Sequence, residues 1–71
     1  MFRFRLEKIY VLYWSGCSTL LELSDKIDLS DVYLSRVFNK KTTCGAGAAL
    51  KLAKICNKEI DDLFEETKKW N

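Results

Sequence analysis

Asp28-Leu29-Ser30-Asp31-Val32-Tyr33-Leu34-Ser35-Arg36-Val37-Phe38-Asn39-Lys40-Lys41 is the stretch whose reading decides the fold. Ser30 is the kind of residue that caps a helix start, because its hydroxyl accepts from a backbone N–H that has no partner inside the helix. Asp31 then places a negative charge in the first turn, where the helix dipole favours it. Leu34 and Val37 recur at helical spacing and face a core. Asn39 ends the helix, since asparagine tolerates the left-handed conformation such endings often use. Lys40 and Lys41 make a basic exit. A helix over residues 30–38 is expected.

Upstream, Thr19-Leu20-Leu21-Glu22 has the form of a capping box, in which threonine and glutamate satisfy each other's orphaned amides. Leu20, Leu23, Ser24 and Ile27 continue it as a buried stripe, giving a helix over 19–26. Two short helices separated by about three residues form a helix-turn-helix, a motif that usually lays its second helix in the DNA major groove.

The flanking segments also read as helices. Leu6, Ile9, Tyr10 and Tyr13 recur at spacings of three and four and predict a helix over 4–14, with Gly16 as its C-cap. Phe2 to Arg5 alternates apolar and basic residues, which also fits an extended start. Residues 42–47 are loosely specified. A fourth helix over 46–56 carries Ala49, Leu50, Leu52, Ala53 and Cys56, and Asn57 stops it. A fifth over 60–67 buries Ile60, Leu63 and Phe64. The fold class expected is all-α: five short helices in one domain spanning 1–71, with no strand of consequence.

Composition narrows the chemistry. With no histidine, Ser-His and Cys-His nucleophile pairs cannot form, and no enzyme is expected. Cys17, Cys44 and Cys56 show neither paired spacing nor a Cys-x-x-Cys, so they read as buried thiols in a reducing cytoplasm rather than as disulfides or a zinc site. Gly45-Ala46-Gly47 follows no strand and lacks the glycines of a phosphate loop. No cofactor is expected. The N-terminus has no continuous apolar core, and no apolar run approaches membrane-spanning length, so a cytoplasmic chain with no membrane partner is expected. Asp61, Asp62, Glu65 and Glu66 read as a solvated acidic face.

Net charge is only +2, but it is unevenly spread. Arg36, Lys40 and Lys41 stand against Asp31 in residues 30–43, and Lys51 and Lys54 follow without an acid in 44–56. The centre is positive and the C-terminal segment negative, a distribution that suits a polyanionic partner at the centre.

Residues 19–64 resemble the lambda-repressor-like Cro/CI-type helix-turn-helix domain, also called the XRE family. Leu34-Ser35-Arg36-Val37-Phe38-Asn39-Lys40-Lys41 is similar to the family's I-S-R-I-E-N-G-K. Leu50-Lys51-Leu52-Ala53-Lys54-Ile55-Cys56-Asn57-Lys58-Glu59-Ile60-Asp61-Asp62-Leu63-Phe64 is similar to x-K-I-A-K-A-L-G-V-S-L-D-E-L-F, and the two stretches fall in register without gaps. The resemblance implies a phage or mobile-element transcription regulator, often a repressor, that binds double-stranded DNA, commonly as a homodimer on a two-fold site. Carried over by position, it implies base contacts from Ser30, Asp31, Val32, Tyr33 and Arg36. It implies phosphate contacts from Thr19, Asn39, Lys40, Lys41 and Thr42. Arginine at position 36 could fork onto guanine O6 and N7.

The chain departs from the family pattern at several positions. Leu20 stands where a glutamine often touches DNA, Asp31 where a basic or amide residue is common, Phe38 where glutamate is usual, and Lys40 where glycine is usual. On the family template Phe38 would be exposed, and an exposed aromatic often marks a protein interface. An alternative expectation is therefore a modulator or antirepressor that keeps the fold and docks on a partner repressor. Leu20 and Phe38 would then be interface residues, alongside Asp31, Val32 and Tyr33.

Overall fold

Two side-chain caps set the centre of the fold. In a computed structural model that describes residues 1–67, Thr19 Oγ1 accepts from Glu22 N at 3.1 Å and Ser30 Oγ accepts from Tyr33 N at 3.3 Å. They start α2 (Leu20–Ile27) and α3 (Asp31–Phe38). Glu22 reaches back one residue further than a capping box requires, accepting from Ser18 N at 2.8 Å. α4 (Ala46–Cys56) follows and ends at Asn57, whose φ of 57° is the left-handed ending. α1 (Lys8–Ser15) precedes the pair and ends at Gly16 with φ 76°. α5 (Ile60–Leu63) is a single turn, started by Asp62 Oδ2 accepting from Glu59 N at 3.1 Å.

The chain is mostly helical, but it is not all-α. β1 (Phe2–Phe4) and β2 (Phe64–Glu66) form a two-stranded antiparallel sheet, pairing Phe2 with Glu66, Arg3 with Glu65 and Phe4 with Phe64. The expected first helix therefore begins at Lys8 rather than residue 4, and the expected fifth helix stops at Leu63 rather than residue 67. The alternation at the N-terminus decides the first point. Phe4 points into the core and Arg3 and Arg5 point to solvent, a period of two that a helix cannot supply. At the C-terminus, a continued helix would put Glu65 and Glu66 at its negative end. The strand instead sets Glu65 across from Arg3, at 3.9 Å, an exposed pair of small energetic weight.

β1 is bonded on both sides. Beyond β2, Phe2 N donates to Cys44 O at 2.8 Å and Cys44 N to Phe2 O at 2.9 Å, while Arg5 N donates to Leu63 O at 2.9 Å. The loop expected to be loosely specified is thus pinned at Cys44. Phe4 is fully buried, its ring 4.8 Å from that of Phe38 and 5.7 Å from that of Phe64. Leu23, Leu34, Val37, Ala49, Leu52, Ala53 and Leu63 complete the centre of the core. Leu34 and Val37 face inward as their spacing predicts.

α1 turns a different face inward from the one expected. Val11 is buried and Leu12 and Trp14 are half-buried, whereas Ile9, Tyr10 and Tyr13 are exposed, Tyr13 at 80%. Ile9 to Trp14 are all apolar, so periodicity alone does not select a side. α4 and α2, against which α1 packs, make that choice.

Cys17, Cys44 and Cys56 are buried free thiols. Burial pushes the Cys56 thiol up to about 11, nearby Cys17 adds to the shift, and Lys58 opposes it. Its sulfur contacts Val11 O at 3.8 Å.

Two outcomes follow for stability. Phe4→Ala should cost about 3–5 kcal/mol in urea denaturation, while Tyr13→Ala should change stability by less than about 0.5 kcal/mol. Equal effects would show that the aromatic cluster does not hold the fold. Stability should also fall as pH rises. Unfolded chains release the Cys56 proton near its ordinary value of 9, whereas the folded chain keeps it to about 11. The contribution is thus whole below pH 9 and lost by about 11, and Cys56→Ala should flatten that part of a urea-midpoint profile against pH.

Candidate nucleic-acid interface

The turn between α2 and α3 is three residues long, Asp28 to Ser30, and each has a structural job. Asp28 caps α2 in the left-handed conformation, φ 56°, and its N–H donates to Ser24 O. Leu29 packs against the core and its N–H also donates to Ser24 O, at 3.2 Å. Ser30 caps α3. α2 and α3 pack on each other.

α3 divides its residues cleanly. Leu34, Val37 and Phe38 lie in the core, while Asp31, Val32, Arg36 and Asn39 are exposed. Val32, Arg36 and Asn39 are spaced by four and three and form one outward row. Val32 is 60% exposed. Ser35 is half-buried and its hydroxyl accepts from Asn39 Nδ2 at 3.4 Å. Among the described residues, neither Arg36 nor Lys41 has an acidic partner within 4 Å.

Tyr33 is half-buried against the core. Burial raises its hydroxyl pKa, and the neighbouring Cys44 raises it further, so it stays protonated and able to donate. Thr19 is exposed, and its hydroxyl, which accepts from Glu22 N, keeps its own proton to donate. Thr42 is half-buried and its hydroxyl donates to Thr43 O at 3.3 Å.

Three sequence expectations change here. Phe38 is not an exposed interface residue: it is 4% exposed, because the N-terminal strand brings Phe4 onto its ring. Leu20 also packs against the core, and its neighbour Leu21 is the outward leucine, 61% exposed. Asn39 is not the left-handed residue that ends α3. Its φ is −88°, and the left-handed residue is Lys40, φ 63°.

Lys40 has an internal role that no local signal announced. Its Nζ donates to Leu6 O at 2.9 Å and lies 5.5 Å from the centre of the Phe4 ring, within cation–π range. It ties the end of α3 to the segment between β1 and α1. Lys41 points to solvent, and its N–H closes the helix end on Arg36 O at 2.9 Å.

Among the described residues, no group of histidine, cysteine or acidic side chains is placed to hold a metal ion. No described helix is long and apolar enough to cross a membrane. No known family model, curated protein or solved structure matches this chain.

The two roles of Lys40 can be separated. A side chain in the left-handed region carries a strain of about 1–2 kcal/mol that glycine does not. Lys40→Ala keeps that strain and loses the contacts with Leu6 and Phe4, whereas Lys40→Gly loses the contacts and the strain together. By thermal denaturation, the glycine variant should be more stable than the alanine variant by about 1 kcal/mol. A glycine variant no more stable than the alanine one would show that the conformation at 40 is unstrained.

Proposed function

We propose that this chain is a small sequence-specific DNA-binding transcription regulator of the Cro/CI helix-turn-helix type, of phage or mobile-element kind, acting in the cytoplasm. α2 and α3 form the motif and α3 lies in the major groove. The observation that carries this reading is the division of α3. One face is consumed by the core, and the other presents Val32 and Arg36, with Lys41 at its exit, and neither cation has an acidic partner within 4 Å among the described residues. An α-helix with its side chains is about 10–12 Å across, which fits the width of the major groove.

Each residue then has a role. Arg36 reads a guanine edge by two parallel hydrogen bonds. Val32 contacts a thymine methyl. Ser30 and Tyr33 supply neutral donors beside it. Asp31 accepts from a cytosine amino group and repels phosphate, which tightens discrimination more than affinity. Lys41, Thr42, Asn39 and Thr19 hold phosphates, with Lys40 contributing its charge from its internal anchor. One domain of this size makes too few contacts for tight binding, so two copies act on a two-fold site.

The rival reading, a modulator docked on a repressor, needs an apolar anchor on this face. Burial of Phe38 removes the aromatic anchor that such docking would use, which favours DNA. With no histidine in the sequence for a Ser-His or Cys-His pair, the reading is of a binding protein rather than an enzyme.

The test is a pair of exposed substitutions. Arg36→Ala should cost about 1–3 kcal/mol on a selected site and relax sequence preference at one position. Lys41→Ala should weaken binding to every sequence and reduce the slope of log K against log salt by about one unit. Selection from random duplexes followed by anisotropy titration reads both. Parent-like binding in both variants would contradict the proposal.

A further inference from the structure

A second surface lies away from the outward face of α3. Where α2 ends, it packs beside α4 and leaves a groove of about 490 Å³ lined by Lys26, Ile27, Asp28, Lys51, Lys54 and Ile55. The two isoleucines form an apolar floor. Lys51 and Lys54 stand one turn apart on α4, and Lys26 faces them from the last turn of α2. Among the described residues, none of these lysines has an acidic partner within 4 Å. Three cations against the single carboxylate of Asp28 make the rim positive.

We propose that this groove docks an acidic amphipathic helix of a partner protein. Charge and shape together select that occupant. The rim repels itself and is relieved by carboxylates on either side of a bound segment. The floor takes aliphatic side chains, in the manner of a helix laid into a groove and anchored at i and i+4. Phosphate backbone would answer the lysines but leave both isoleucines uncovered. An anionic bilayer would answer the lysines, but Ile27 is buried and Ile55 half-buried, so no apolar side chain protrudes there to enter it. The proposal does not depend on the DNA reading, since Arg36 and Lys41 take no part in the groove.

The test uses a fluorescein-labelled synthetic helix with leucines at i and i+4 flanked by glutamates, and a control with lysines in place of the glutamates. The acidic peptide should bind and the basic one should not. Lys51→Glu combined with Lys54→Glu should weaken binding by about tenfold or more. Both sites are exposed, so the far-UV circular dichroism melt should stay close to that of the parent. Asp28→Asn should strengthen binding. The proposal is overturned if the acidic peptide fails to bind at low salt, if the basic peptide binds equally, or if the double reversal has no effect. It is overturned too if duplex DNA, or vesicles of phosphatidylglycerol, displace the peptide from Lys26, Lys51 and Lys54.

Discussion

The ring of Phe4 is the point on which the structure depends. It is fully buried between Phe38 of α3 and Phe64 of β2, and Lys40 covers it from the end of α3. So small a chain has a limited core, and burying one large aromatic is a large share of its stability. The backbone around Phe4 is tied at the same time. β1 bonds to β2 on one side and to Cys44 on the other, so the N-terminus joins the C-terminal strand to the loop before α4. A three-residue strand is too short to stand alone; it persists because its side chain and its backbone are both committed.

That commitment fixes α3. Phe38 on Phe4, Leu34 and Val37 in the helical core, and Lys40 on Leu6 hold the helix at both its inner face and its end. The outward row of Val32, Arg36 and Asn39 is thereby presented by a helix held from behind, which on the proposed reading serves recognition of base edges. Interior packing and outward chemistry are two faces of one eight-residue helix.

Much of this was legible in the residues. α2, α3 and α4 fall within about one residue of where their caps and apolar spacing put them, because Thr19, Ser30 and Asn57 act locally. The outward set on α3 was legible for the same reason. The strands were not, since β1 and β2 come from opposite ends of the chain and no local rule pairs them. Continuing the helical pattern past Leu63 was reasonable until Phe4 offered Phe64 a partner. Phe38 looked exposed for the same cause: its cover is a strand distant in sequence. The face of α1 was undetermined because its middle is apolar all round. The inward turn of Lys40 depends on a carbonyl that sequence spacing does not reveal.

The positive charge of the centre resolves into two surfaces with different floors. Around Arg36 and Lys41 the exposed neighbours are Val32 and Asn39, which on the proposed reading meet base edges and phosphates. Around Lys26, Lys51 and Lys54 the floor is isoleucine, a setting for an aliphatic side chain. The most direct measurement is therefore a titration of isotopically labelled protein with duplex DNA, followed by amide chemical shifts. The account predicts shifts concentrated at Thr19, Ser30 to Tyr33, Arg36 and Asn39 to Thr42, with the groove of Ile27 and Ile55 unmoved. Shifts confined to Lys26, Lys51 and Lys54, or none at low salt, would contradict it.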